Sequence, residues 1–478
     1  MRPIFVEAVP IDLVKISTNL AEEGYRLMTI TSTAADETYV IHHIFMSFCH
    51  SDEPLIDIRT QIDSNWAGLI PSVSEVFIQA TRFESDLTAA TNGDVHFESK
   101  SKSVTTNSAI EEVAGVSQIP VGPVHAGVIE PGHFRFSVIG ESILNLDIEL
   151  NYLSRGVEDT FIGARAEEGL NLAEHVTGDS IVAHGLAFLK AYESSLSIDV
   201  GENERIRRSL LLELERVACH VTDIGGLAND TAFGLANTQA QRIRESLSGI
   251  NYRLTNHRIL RGSLSLHQTK LFELPSQSTI DQIKHHVIEV SQLIEEHGIV
   301  RDRMIGTGVL SRDDAQRLSA YGYVGRASNH PCDVRQYLPY NHIEADYQEI
   351  LESSGDVMGR FLLRRREALS SLELIKRYLN FLRDDGTKPD KSAMPSTPKS
   401  IDDPAPAANF GFGCVEGWRG ATCYFVETSE NGAIKKVKIT DPSVNNWAAL
   451  PIALHEAIVP DFPLVNKSFN QSYAGNDL

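Results

Sequence analysis

The sequence predicts an α+β fold: a small N-terminal α/β domain followed by a large, mainly helical domain with peripheral β-strands. Three observations carry this. Residues 25–48 are β-rich with alternating side-chain character, residues 204–297 carry long amphipathic stripes, and residues 422–439 return to β-rich runs. A polar stretch over 91–118 separates the first two regions and marks the domain boundary.

In chain order, Val14 to Gly24 reads as a short helix, and Arg26 to Thr33 and Glu37 to Phe48 read as strands. Thr91-Asn92-Gly93-Asp94 is a turn, and Ser99 to Asn107 a charged, Ser/Thr-rich linker. Phe134 to Ile139 alternates like a strand, and Gly140-Glu141 turns it. Over Glu204 to Ile224, Leu210, Leu214, Val217, Val221 and Ile224 recur at steps of four and three, so they form one apolar stripe on a helix. Ile283, Val287, Val290 and Ile294 do the same over Thr279 to His297, with an N-cap at Ser278-Thr279-Ile280-Asp281 and a stop at Gly298. Residues 342–384 contain a long helical region carrying Gly355-Asp356, in which Asp356, Arg360, Arg364 and Glu367 line one face. The proline-rich stretch 387–407 reads as a loop, and strands follow at Thr422 to Glu427 and Lys435 to Ile439.

Composition excludes several function classes. With 478 residues, 42% hydrophobic and 22% charged, the chain is long enough for two or three domains and a large core. A formal charge of -21 argues against wholesale nucleic-acid binding, which needs clustered Lys and Arg. No apolar run approaches the roughly 18–20 residues of a membrane span, and Met1-Arg2-Pro3-Ile4 lacks a signal pattern, so a cytoplasmic location is expected. Cys49, Cys219, Cys332, Cys414 and Cys423 show no Cys-x-x-Cys spacing and read as ordinary thiols packed as small hydrophobes. No phosphate-binding Gly loop, His-Glu-x-x-His or nucleophile elbow points to a standalone enzyme.

A series of short elements carries more specific information. In order they are Gly122-Pro123-Val124-His125, Glu130-Pro131-Gly132-His133-Phe134-Arg135, and Arg155-Gly156-Val157-Glu158. Glu174-His175-Val176-Thr177-Gly178-Asp179-Ser180-Ile181-Val182-Ala183-His184 follows, then Leu212-Glu213-Leu214-Glu215-Arg216 with His220. Next come Arg326-Ala327-Ser328, Asp333-Val334-Arg335, Gly355-Asp356 with Arg360 and Arg364, Glu416-Gly417-Trp418-Arg419-Gly420, and the C-terminal Ser468 to Gly475. Their order and spacing resemble the large subunit of group 4 NiFe-hydrogenases, especially the formate hydrogenlyase type, and the homologous 49-kDa-type subunit of respiratory complex I. Ile70-Pro71-Ser72 and Phe83-Glu84 give the N-terminus a weaker resemblance to the 30-kDa-type complex I subunit, with Arg82 where that family has Trp. The resemblance implies a 30-kDa-like domain over 1–115 and a hydrogenase-large-subunit-like domain over 116–478.

The four thiolate positions of the nickel site fall on Thr177, Ser180, Ser472 and Gly475. Nickel and iron in such a site are held by soft thiolates, and three hydroxyls and a glycine do not reproduce that donor set. The expectation is therefore no NiFe cluster, no metal ligands, and no hydrogen chemistry by this chain. In complex I-type subunits the equivalent cavity receives a quinone head group, held by the His of the Gly-Pro-x-His loop and by a Tyr near the former first cysteine pair. The His is retained as His125, whereas the Tyr position falls on Gly178; Tyr152, Tyr340 and Tyr473 are candidate substitutes.

The resemblance thus implies His125, Asp333, Arg335 and Arg419 as catalytic candidates, and His184, Arg155 and Glu158 as cofactor-binding candidates. Each has a structural alternative: a turn hydrogen bond for His125, core polarity for His184, a loop-anchoring pair for Asp333 and Arg335, and a carbonyl cap for Arg419. Trp418 stands where the family has Pro. Electrons are expected from 4Fe-4S clusters in a partner small subunit, and ion translocation from membrane-arm subunits. That places the chain peripherally on the inner face of a membrane, as part of an NADH:quinone-oxidoreductase-like or formate-hydrogenlyase-like assembly. The alternative role is a non-catalytic scaffold.

Overall fold

Both faces of the N-terminal sheet are covered, and this fixes how the two regions meet. The computed structural model describes all residues except 1–2, 36–37, 50–51, 64–65, 67, 99–114, 126–129, 153 and 385–409. The expected linkers at 99–107 and 387–407 lie outside the described residues. The N-terminal strands are β1 (Ile4–Glu7), β2 (Tyr25–Ala35), β3 (Thr38–Ser47) and β4 (Leu55–Asp63), in the order β1-β4-β3-β2. Only the β1–β4 pairing is parallel. Alternation sends Leu27, Ile41, Phe45 and Ile58 to a core shared with Leu13 and Leu20 of the helix Leu13–Glu22 and with Phe83 and Leu87 of the helix Ala80–Ala90. Met28, Ile44, Met46 and Phe48 face the other way, against Phe412 and Phe425.

Those two phenylalanines belong to a C-terminal sheet, β8 (Phe410–Gly417), β9 (Gly420–Thr428) and β10 (Ile434–Thr440), antiparallel in the order β10-β9-β8. A third antiparallel sheet, ordered β5-β6-β7, comprises β5 (Ser117–Val121), β6 (His133–Ile139) and β7 (Ser142–Glu149). The long helices Ile181–Ser195, Glu202–Asp230, Gly234–Thr255, Gln277–Glu296 and Val357–Asp384 pack around one apolar core. The predicted stripe of Glu202–Asp230 is buried throughout, with Leu210, Leu214, Val217, Val221 and Ile224 each at most 1% exposed.

Glycine lets the helix Ile181–Ser195 lie directly on β8. A Cβ at Gly411 or Gly413 would sit 2.2 Å from the carbonyl oxygens of Ala191 and Ala187 respectively. This close approach supports the backbone at both ends of the site, because the same helix starts at the first motif and β8 ends at Glu416-Gly417.

Two local expectations are corrected and a third is refined. The long helix does not include Gly355-Asp356: Gly355 adopts φ +63°, and the helix begins at Val357, with Asp356 accepting the Gly359 N–H at 2.7 Å. The helix Gln277–Glu296 stops at the extended His297, one residue before the expected Gly298, which opens the short helix Gly298–Met304; His297 caps it by accepting the Val300 N–H through its ring. The cap of Gln277–Glu296 is Ser276, which accepts from Thr279 N at 3.1 Å. No helix among the described residues is long and apolar enough to cross a membrane.

Candidate functional site

The two separated motifs meet. Arg155 joins them by donating from one guanidinium nitrogen to Val176 O at 3.3 Å and Ala474 O at 3.2 Å. Arg419 joins them again from the other side, donating to Asn470 O at 2.7 Å, to the Asp179 carboxylate at 2.6 and 2.8 Å, and to Ser180 Oγ at 3.4 Å. Arg419 is held on the two-residue tip of the β8–β9 hairpin, where Gly417 pairs with Gly420. Gly322 makes room for that tip: a Cβ there would lie 1.9 Å from Arg419 O. Burial lowers the Arg419 pKa, but the Asp179 carboxylate outweighs it and the group is raised, so Arg419 is a fixed cation.

Thr177, Ser180, Ser472 and Gly475 are held by their own hydrogen bonds. The Ser180 N–H donates to Thr177 Oγ1 at 3.2 Å, and the Gly475 N–H donates to Ser472 Oγ at 2.9 Å. The space a side chain at 475 would take is filled by Asp441: a Cβ there would lie 2.5 Å from its carboxyl carbon. The Asp441 carboxylate pairs with His184 Nε2 at 3.1 Å and accepts the Ser443 N–H at 2.7 Å, while His184 Nδ1 meets the Tyr424 hydroxyl at 3.0 Å. Burial raises the Asp441 pKa, and the His184 and Ser443 hydrogen bonds with the Arg419 charge more than offset this, leaving it below the ordinary carboxylate range. His184 is therefore a fully buried, doubly bonded ring. Glu158 is also anchored, accepting the Ile439 N–H at 2.8 Å beside Lys438.

Hard oxygen donors, and an aspartate where the fourth sulfur would stand, do not fit a nickel–iron group. Among the described residues no cluster of three or more His, Cys, Asp or Glu side chains could hold a metal ion.

Asp333 and Arg335 lie apart from this cavity, in a buried ionic network. Arg335 donates to Asp333 at 2.7 and 3.0 Å, to Glu213 at 3.0 Å and to the Tyr347 hydroxyl at 2.6 Å. Arg326 contacts Glu416 at 2.6 Å, Glu367 at 2.8 Å and Asp333 at 3.6 Å, and Glu367 meets His220 Nε2 at 3.0 Å. Arg216 adds Glu213 and the carbonyls of Glu416 and Gly417. The predicted charged face thus pairs across elements rather than along its helix: Arg360 goes to Ser468, Arg364 to Asp223, and Glu367 to Arg326 and His220. His220 and Tyr323 pack on Trp418, whose indole N–H donates to Asp179 O at 2.9 Å, so the network abuts the hairpin tip.

His125 lies elsewhere again. Its ring packs 5.5 Å from Phe134, and its Nε2 is buried with no hydrogen-bond partner among the described residues. Phe134 reaches Trp447 at 6.2 Å, and Trp447 reaches Tyr473 at 5.1 Å, between the two C-terminal positions Ser472 and Gly475. Of the three substitute tyrosines, Tyr473 is the one beside this loop, packing against Gly132. Tyr340 accepts from Arg208 in a separate cluster, and Tyr152 is exposed.

A cleft of about 550 Å³ opens on the first motif, lined by Gly178, Asp179, Glu215, Cys219, Trp418 and Asn470 among others, and not by His125. Glu215 is its unusual member. Its carboxyl accepts the N–H groups of Val182 and Ala183 at 2.7 and 3.1 Å, at the start of the helix Ile181–Ser195. Burial nevertheless pushes its pKa up to about 8 against those two bonds. Sequence reasoning misses Asp179, Glu215 and Asp441 as site residues; only the Asp441-Pro442 turn hints at the last.

Comparisons with known proteins follow the same outline. The chain is 27% identical over 360 residues to the "Carbon monoxide-induced hydrogenase" of Rhodospirillum rubrum, covering 74% of this chain and 96% of that one. It is 27% identical over 370 residues to "Formate hydrogenlyase subunit 5" of Escherichia coli (strain K12), covering 75% of this chain and 62% of the relative. It is 28% identical over 272 residues to an NADH-quinone oxidoreductase subunit of the C/D type from Phocaeicola vulgatus, covering 55% of this chain and 52% of the relative. The chain therefore spans only part of the latter two. A chain from the structure of the membrane-bound sulfane sulfur reductase, an archaeal respiratory membrane complex, superposes with a TM-score of 0.67 at 21% identity, over 76% of this chain and 99% of that one, and establishes the shared fold. The family model described as "Respiratory-chain NADH dehydrogenase, 49 Kd subunit" matches residues 223–477, from the last third of the helix Glu202–Asp230 to two residues past the second motif. With that match over more than half its length, this chain belongs to the 49-kDa subunit family of respiratory-chain NADH dehydrogenase.

Proposed function

We propose that the chain is a subunit of a membrane-associated oxidoreductase assembly of the complex I-like or energy-converting-hydrogenase-related kind, coupling electron transfer to ion translocation without nickel–iron hydrogen chemistry. The observation that carries the negative half is the Asp441 carboxylate pressed against Gly475 and bonded to His184. Family membership supports the positive half. The partners proposed are a 4Fe-4S small subunit supplying electrons and membrane-arm subunits, with this chain peripheral on the cytoplasmic face. The proposed acceptor is a small carbonyl compound, a quinone among them, toward which the His125 Nε2, without a partner among the described residues, offers a hydrogen bond. Arg419, Arg155 and Glu158 hold the cavity wall, and Asp333 and Arg335 support it through the buried network.

In the purified assembly, His125→Ala is expected to slow quinone-linked electron transfer about tenfold, the loss of roughly one hydrogen bond to the reacting group, about 1.4 kcal/mol. Unchanged turnover with unchanged ion translocation would remove His125 from the site. It would also favour the scaffold reading, which the fully engaged His184 and Arg419 support.

A further inference from the structure

Cys414 and Cys423 face each other across the β8–β9 ladder, as directly opposed register partners. Their sulfurs are 3.2 Å apart, and both thiols are free and buried. Neighbouring strands in register place two Cα atoms within the span that a disulfide bridges, about 4.4–6.8 Å. The pair is not sealed off. Cys414 lines a second cleft of about 540 Å³, walled by Leu55, Lys190, Glu193, Tyr340 and Phe412 among others. Lys190, which donates to Cys414 O at 2.7 Å, brings a buried amine beside the pair.

We propose that Cys414 and Cys423 form a thiol–disulfide exchange site, oxidised by a low-molecular-weight disulfide of the glutathione class that enters through this cleft. The Cys414 sulfur, as thiolate, attacks one sulfur of the oxidant. The oxidant's S–S bond breaks, and its other half leaves as a thiolate that takes up a proton. The Cys423 sulfur then attacks Cys414 in this mixed disulfide, releasing the second small thiol and closing the Cys414–Cys423 bond. The two cysteines give up two electrons and two protons, and the oxidant's two sulfurs accept them.

The bond would staple the hairpin that carries the site. Cys414 and Cys423 lie three register pairs below the Gly417–Gly420 pair that closes the Trp418-Arg419 tip, with Glu416 between. Burial, with the Cys414 hydrogen bond adding to it, raises the Cys423 thiol well above its ordinary pKa and so disfavours its thiolate. The competing role for such a pair is packing alone, as two small hydrophobes in the layer shared with Met46, Phe412 and Phe425.

The test uses the purified full-length protein in its native assembly, incubated with oxidised glutathione, alkylated, and mapped by mass spectrometry without reduction. Exposed Cys49 serves as the internal control for the oxidant. The expected result is a Cys414–Cys423 cross-linked peptide pair, absent before treatment, present in most molecules after it, and lost with dithiothreitol. In Cys423→Ser the exchange should stop at glutathione on Cys414. Recovery of Cys414 and Cys423 as alkylated thiols while Cys49 carries glutathione would overturn the proposal, as would a link from either residue to Cys332.

Discussion

Arg326→Met is expected to destabilise the protein by about 3–5 kcal/mol, the range for removing one partner from a buried ion cluster. Arg326 is fully buried and is shared by three carboxylates. Burial opposes the charge on Glu367, but the Arg326 charge and the His220 hydrogen bond pull it down to about 2. Burial likewise opposes the charge on Asp333, which the Arg335 and Arg326 charges hold well below the ordinary carboxylate range. Glu416 shows the opposite balance: burial pushes it up to about 7 despite Arg326, with the Asp333 charge adding to the rise. Removing the arginine leaves Glu367 and Asp333 as buried anions with one counter-charge fewer. The measurement is the shift of the urea midpoint at unchanged slope. Arg258→Met is the control: Arg258 pairs with Glu245 at 2.6 Å, but the two side chains are 54% and 68% exposed, so the change should stay within about 1 kcal/mol. Equal effects at the two sites would contradict the buried network.

This cluster also shows where the sequence stops being legible. Each of its members stands in a motif that the chain displays openly, and the helix of Glu213 and Arg216 is readable from its apolar stripe. What cannot be read is the pairing, because Arg326 and Glu416 are 90 residues apart and His184 and Asp441 are 257 apart. A spacing rule describes neighbours on one helix, and so it places Asp356, Arg360, Arg364 and Glu367 on a face as if they paired there. The fold instead sends Arg360, Arg364 and Glu367 to partners on other elements, at Ser468, Asp223, His220 and Arg326. Strand β8 escapes sequence reading for a related reason: Phe410-Gly411-Phe412-Gly413 reads poorly as a strand, since glycine weakens strands. Its glycines are required by the helix lying 2.2 Å from where their Cβ atoms would be. The missing thiolates are legible residue by residue, but the carboxylate that occupies the space beside Gly475 is not.

The second large effect is in pH. Glu215 is raised to about 8 in the folded protein, above the ordinary value of 4.5, chiefly by burial. Between those two values the folded state holds a proton that the unfolded state has released. The unfolded chain therefore binds fewer protons, and stability falls as pH rises, with a slope of about 1.4 kcal/mol per pH unit for this one group. Below about pH 4.5 and above about pH 8 its contribution is flat. Glu215→Gln, which mimics the protonated form, removes the slope. Unfolding curves collected from about pH 5 to about pH 9 should show the variant gaining on the wild type as pH rises, by several kcal/mol at the alkaline end. Parallel curves for the two proteins would place the Glu215 proton elsewhere. Because Glu215 lines the cleft beside Asp179 and accepts two N–H groups at the start of the helix that carries His184, this titration takes place at the first motif.

The central claim is that this chain keeps the architecture of a nickel–iron large subunit while its own side chains fill the metal position. Elemental analysis of the native assembly, purified from cells grown with ample nickel, tests it most directly. Nickel is expected far below one atom per chain. One nickel atom per chain, retained through purification and lost when His184 or Asp441 is changed, would contradict that claim.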